Sequence, residues 1–172
     1  MSTPSRAEPA PTLSDPQRLL LEYLEYYRAT VLEKLEGLDE EELRRSRLPT
    51  GWSPLELLWH LAHVERRWLV WGFLGEELPD PWADWEEGRW AVPGGMPASE
   101  VIRRYQDQVG RSREIVADVP LAARAPVARG RFQSEAEAPT LGWILFHLLQ
   151  EYARHAGHLD IARELADGAT GE

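Results

Sequence analysis

Hydrophobic residues recur three or four positions apart in four segments of the chain, and this spacing predicts four amphipathic helices. A residue able to cap a helix N-terminus lies at or just before the start of each segment. Three of the segments end at or near a glycine, which is typical of helix C-termini. The predicted helices span residues 16–37, 54–75, 99–119 and 141–168.

The connections between these helices differ in composition. The run DEEELRRSR after the first helix favours one additional short helical turn. Residues 79–97 are rich in proline and glycine, which predicts a loop. This loop carries Trp82, Trp85 and Trp90, and we expect it to fold back over the domain because exposed tryptophans are unfavourable. Residues 120–139 form a long connection for which we predict a short strand pair.

Four long helices without an internal linker predict an all-α fold, a four-helix bundle in a single domain over residues 14–168. The length of 172 residues suits one domain. Residues 1–13 are rich in proline, serine and alanine, so we predict a disordered tail there. A second short tail is predicted at residues 169–172.

The charge of the chain limits its partners. A formal net charge of -10 argues against binding to nucleic acid or to anionic membranes, both of which need a basic face. We find no apolar run long enough for a membrane helix. The sequence contains no cysteine, which excludes disulfides and protein thiolates and fits a cytoplasmic protein.

Two polar residues interrupt the apolar stripe of the fourth predicted helix. At about 100° per residue, His155 falls near the middle of the stripe, and Glu151 lies roughly 40° to one side. A carboxylate among apolar side chains is costly unless a cation or a hydrogen-bond donor compensates it. The stripe consists of Leu141, Ile144, Leu148, Tyr152, Leu159 and Ala162.

Glu151 and His155 are spaced so that both side chains can reach one metal ion, and a third ligand must come from a facing helix. In the second predicted helix, His60 points largely inward, whereas His63 is displaced about 60° further out. We therefore predict a site of His60, Glu151 and His155 for zinc, or for nickel, iron or manganese. Three protein ligands leave positions open for water or substrate. The apolar stripe of this helix is Leu57, Leu61, Val64, Trp68 and Trp71.

A metal is one of two ways to compensate the buried carboxylate. In the alternative interpretation, Glu151 pairs with His60 or with an arginine inside the bundle. Three more histidines lie near the predicted site, and His147, one turn before Glu151, is placed to orient that carboxylate. His63, His147 and His158 could each support the site in this way. The alternative is that each is an ordinary half-exposed histidine with no role in the site.

Two segments resemble the signature segments of the DinB-like superfamily. They are GWSPLELLWHLAHVERRWL at residues 51–69 and TLGWILFHLLQEYARHAGHLDIAREL at residues 140–165. The resemblance extends over nearly the whole chain after the tail. It is closest to a branch that is similar to the metal-binding domain of mycothiol-dependent maleylpyruvate isomerase.

This resemblance implies an up-down-down-up four-helix bundle that holds a metal between its second and fourth helices. Isomerase-like members use one histidine together with a Glu-x-x-x-His pair. The sequence is similar to that pattern at His60, Glu151 and His155. Homodimers are common in that superfamily, so the resemblance also implies a possible homodimer here.

The resemblance covers the metal domain of the isomerase, so it implies thiol activation rather than maleylpyruvate isomerisation. We expect the metal to activate mycothiol or a similar thiol, which is then transferred to a small-molecule substrate. The lack of cysteine agrees with a sulfur supplied by a cofactor. Two alternatives stay open: metal-dependent hydrolysis, and a non-enzymatic, stress-related bundle that only holds the metal.

Overall fold

Long helices make up most of the protein in a computed structural model that describes residues 7–170. The predicted all-α class is confirmed. Of the two predicted tails, residues 1–6 and 171–172 lie outside the described residues. The elements are α1 (Pro16–Glu33), α2 (Glu40–Arg44), α3 (Pro54–Glu65), a π-helical segment (Arg66–Phe73), β1 (Trp85–Glu86), β2 (Arg89–Trp90), α4 (Ala98–Val116), a 3-10 turn (Glu135–Glu137) and α5 (Leu141–Asp167).

Side-chain caps begin the two helices that matter most for the site. At the start of α3, the Ser53 Oγ accepts a hydrogen bond from the Glu56 N–H, and the Glu56 carboxylate accepts one from the Ser53 N–H at 2.8 Å. At the start of α5, the Thr140 Oγ accepts a hydrogen bond from the Trp143 N–H at 3.2 Å. Gly168 ends α5 in the left-handed conformation, with φ at 77°. The capping residues thus lie where the sequence predicted them.

The core lies between four long helices. Helix α1 packs against α5, and α3 packs against both α4 and α5. All six residues of the stripe predicted for the fourth helix are buried in α5. No helix within residues 7–170 combines the length and the apolar character that a bilayer crossing requires. The up-down-down-up order of the helices stays a prediction.

The second predicted helix changes type after Glu65. From Arg66 the backbone follows the wider π-helix, as the hydrogen bond from the Leu74 N–H to the Leu69 carbonyl oxygen at 2.9 Å shows. The wider turn changes the directions of the following side chains, so the predicted stripe is only partly kept at Trp68 and Trp71, although Trp68 still packs against the core. Both indoles are only partly buried. The buried apolar positions of this segment are Leu69, Val70 and Phe73.

The segment predicted as a loop at 79–97 contains a small antiparallel hairpin, β1–β2. As predicted, the hairpin folds back over the domain, through Trp90, which packs against the core. Trp82 and Trp85 nevertheless remain 57% and 54% exposed. Only one of the three indoles is therefore covered by the fold.

The strand pair predicted for the connection 120–139 is not present there. Within the described residues this connection forms an isolated bridge between Arg124 and Thr140, together with the 3-10 turn. The Arg124 guanidinium instead donates to the carbonyl oxygens of Ala136 and Ala138, at 2.7 and 3.0 Å. These bonds satisfy backbone groups that a strand pair would otherwise have paired.

Candidate metal centre

Three polar side chains from two helices meet next to the hairpin. His60 lies on α3, whereas Glu151 and His155 lie one turn apart on α5. One ligand atom from each residue lies within 4.8 Å of the other two. His155 is buried, and His60 and Glu151 are partly exposed. The structure thus brings together the three residues that the sequence predicted as ligands.

The donor atoms of this cluster fit a divalent cation. Two ligands of a tetrahedral zinc ion, each about 2.1 Å from the metal, lie about 3.4 Å apart. The Glu151 Oε2 and the His155 Nε2 are separated by a similar 3.3 Å. Two imidazole nitrogens and one carboxylate oxygen suit zinc, nickel, iron or manganese. His60, Glu151 and His155 could therefore hold any of these ions.

Asp84, which the sequence analysis did not identify, orients His60. It lies directly before β1, is 1% exposed, and its Oδ2 is 2.8 Å from the His60 Nδ1. Because a carboxylate only accepts hydrogen bonds, the His60 Nδ1 must donate, and this leaves the Nε2 lone pair for a metal. The Asp84 Oδ1 accepts a hydrogen bond from Arg67, which holds the carboxylate in place.

The electrostatics of the site favour the protonation states that a metal requires. Burial lowers the pKa of His60, although the hydrogen bond to Asp84 acts in the opposite direction. The hydrogen bond from His155 lowers the pKa of Glu151. Burial acts to raise the pKa of Asp84, but the hydrogen bonds from His60 and Arg67 outweigh it and the pKa is lowered. A neutral imidazole and two carboxylates at neutral pH are ready to bind and orient a cation.

Two of the remaining histidines lie beside the predicted ligands. The His147 Nε2 is 3.4 Å from the Glu151 Oε1, on the carboxylate oxygen that does not contact His155. The His158 Nδ1 is 3.2 Å from the His155 Nδ1. Burial lowers the pKa of both His147 and His158. Both therefore contact a predicted ligand.

His63 differs from its predicted half-exposed position. It is 5% exposed, and its Nδ1 donates to the Trp59 carbonyl oxygen at 2.9 Å. The angular projection of an isolated helix placed it too far outward, because α3 packs against α2, α4 and α5 and few of its faces reach solvent. His63 is not part of the cluster of ligand atoms.

Aromatic rings enclose one side of the cluster. The Trp90 indole stacks on the His60 imidazole, with ring centroids 4.2 Å apart and an interplanar angle of 21°. The same indole meets His155 edge-on at 5.2 Å. Trp52 lies next to both Trp90 and His158. These rings limit the access of water and hold the imidazoles in fixed orientations.

Comparison with known proteins relates this geometry to a family. No curated protein matches the chain. A family model described as MST: Mycothiol-S-transferase matches residues 19–168, which include both helices of the candidate site. This match confirms the resemblance to the DinB-like superfamily. The chain therefore belongs to the mycothiol-S-transferase family.

Proposed function

We propose that this protein is a metal-dependent transferase that conjugates mycothiol, or a similar low-molecular-weight thiol, to a small electrophile. The observation that carries the proposal is the cluster of His60, Glu151 and His155, with Asp84 behind His60. The family match favours thiol transfer over the hydrolytic alternative. We place the activity in the cytoplasm, where such thiols are kept reduced.

The ligand set suits an anionic sulfur. A divalent cation in the cluster would supply Lewis acidity, which lowers the pKa of a thiol so that the thiolate is present at neutral pH. Glu151 contributes one negative charge and the two imidazoles none, so the loaded site keeps one positive charge for the thiolate. The chain has no cysteine, so the nucleophilic sulfur belongs to the small molecule.

We assign His147 as the group that accepts the thiol proton. It is half-buried beside Glu151, and burial lowers its pKa, so its imidazole is neutral and basic at neutral pH. The sulfur then forms a bond to the electrophilic carbon. In a displacement the leaving group departs with the electron pair of the broken bond, and in an addition the adjacent atom takes up a proton.

The proposal is tested with the full chain purified without a nickel column. We expect near-stoichiometric metal and conjugation of mycothiol to a chlorobimane, measured as fluorescence. Removal of the metal by a chelator should abolish the activity, and one equivalent of metal should restore it. A protein that binds metal but conjugates neither mycothiol nor another small thiol would contradict the transferase. Activity in metal-free protein would contradict the role of the cation.

We expect Asp84→Asn to weaken metal binding about 10- to 100-fold, because losing such an outer partner of a ligand histidine typically has this effect. The carboxamide oxygen is a weaker acceptor than the carboxylate and its NH2 group can only donate, so the His60 tautomer that leaves Nε2 free is less stabilised. Affinity is measured by competition with a chromophoric chelator. Glu86→Gln, an exposed acid two residues away, serves as the matched control. Equal affinities for the two variants would show that Asp84 does not support the site.

A further inference from the structure

A cavity of about 290 Å³ is lined in part by Arg67, whose guanidinium also donates to Asp84 behind the candidate metal centre. One wall consists of residues of the π-helical segment, including Trp68 and Trp71, and the opposite wall comes from the connection 120–139. Gly130 in that wall has φ at 63°, and a Cβ there would lie 3.4 Å from the Trp71 ring. A π-helical stretch often accompanies a functional site, since it changes which side chains face a cavity.

The lining of this cavity is positively charged in an acidic protein. Arg67, Arg129 and Arg131 all line it, and none of the lining residues that the structure describes is acidic. Arg67 pairs with Asp84, and Arg129 pairs with Glu77 at 2.6 Å. Arg131 makes no ion pair within residues 7–170, and the Arg129 Nε is buried without an acceptor. A ligand that supplies oxygen atoms would satisfy the buried Arg129 N–H, and the exposed Arg131 guanidinium is free to bind the same ligand.

Aromatic rings hold the Arg131 guanidinium in place. Its Cζ lies 4.7 Å from the centroid of Trp143, 5.2 Å from that of Trp68 and 5.6 Å from that of Phe132. These are cation–π distances, so the charge is oriented without being neutralised. Trp68, Trp71, Trp82 and Phe132 provide flat apolar surface along the cavity.

We propose that this cavity, the arginine–tryptophan pocket, binds a planar organic anion, namely an aromatic or conjugated carboxylate. The rings would stack on the planar part, and Arg131 would bind the carboxylate, for which a guanidinium has matching donor geometry. The inference rests on the proposed function, because it assigns this anion as the electrophilic substrate of the transferase.

The pocket and the metal centre share supporting residues. Arg67 lines the pocket and donates to Asp84, which in turn accepts from the predicted ligand His60. On the other side, the Trp68 ring lies 4.5 Å from the ring of His147, which contacts Glu151. A molecule in the pocket is therefore one side chain away from groups that contact the metal ligands.

The test uses two planar probes, naphthalene-2-carboxylate and the neutral naphthalene-2-carboxamide. Dissociation constants are measured by calorimetry on the metal-loaded full chain. We expect the carboxylate to bind about tenfold more tightly than the amide. This ratio is near the lower end of the gain expected from a charge-assisted hydrogen bond, because the site is partly exposed to water. Arg131→Gln should remove this preference, and Arg45→Gln, at an exposed arginine directly after α2, should keep it. Arg131→Lys, which retains the charge but not the planar donors, should keep part of it.

Glu151→Gln separates this inference from the proposed function. If the carboxylate preference persists in Glu151→Gln and is lost in Arg131→Gln, the anion binds in the pocket. If it is lost in Glu151→Gln and persists in Arg131→Gln, the anion binds at the metal and the pocket inference is overturned. Equal binding of both probes by the wild-type protein also overturns it. A carboxylate preference that depends on Arg131 supports anion binding in the pocket even if the protein shows no thiol conjugation.

Discussion

Glu151→Gln is expected to leave the protein folded but nearly free of metal, with thiol conjugation reduced by more than about 100-fold. Loss of an outer partner of a metal ligand already reduces affinity up to about 100-fold, and Glu151 is itself a ligand in the proposed site. The carboxamide is a weaker donor and carries no charge, so the attraction to a divalent cation is lost. Metal per chain is measured by mass spectrometry of protein purified without a nickel column.

Two matched comparisons identify the ligands. Glu164→Gln changes an exposed acid on the same helix, α5, and should keep the full metal content. His60→Gln should lose the metal, whereas His63→Gln should keep it, because His63 lies outside the cluster of ligand atoms. Near-stoichiometric metal in both Glu151→Gln and His60→Gln would contradict the proposed site.

Arg28→Met is expected to lower the free energy of unfolding by about 3–5 kcal/mol, the usual effect of breaking a buried ion pair on one side. Arg28 is 4% exposed and Glu65 0%, and two parallel hydrogen bonds of 2.8 and 2.9 Å join them. Removing the guanidinium leaves the Glu65 carboxylate buried without its cation. The change is measured as a lower urea midpoint at an unchanged slope.

The size of this effect follows from the position of the pair. The Tyr152 hydroxyl donates to Glu65 at 2.5 Å, and the Tyr105 hydroxyl lies 3.1 Å from that of Tyr152. Burial raises the pKa of both tyrosines, so both hydroxyls stay protonated. One residue from each of α1, α3, α4 and α5 thus joins a single buried network, so removing Arg28 disturbs hydrogen bonds that link all four helices.

An exposed ion pair provides the control for Arg28. Arg113 pairs with Glu25 at 2.6 Å, but both side chains are more than a third exposed. Arg113→Met should therefore cost only about 0–1 kcal/mol. A cost for Arg28→Met no larger than that for Arg113→Met would show that the buried network does not stabilise the bundle.

The sequence alone determined the four long helices, most of their ends, and the three residues of the candidate site. Helix periodicity and capping depend on neighbours within one or two turns, so they can be read from the chain. The inward directions of His60, Glu151 and His155 follow from the same local geometry. The burial of Glu65 could also be predicted from the sequence, since it continues the spacing of the buried Leu58, Leu61 and Leu69.

The tertiary structure decided the remaining features, because they depend on contacts between residues far apart in the chain. Asp84 lies in a loop without periodicity, and only the fold of the hairpin brings it to His60, 24 positions away. The π-helical segment, which packs against α4 and α5, changes the buried face after Glu65, and α-helical periodicity does not predict such a change. The arginine–tryptophan pocket combines that segment with the connection 120–139, and no local pattern encodes where two such segments meet.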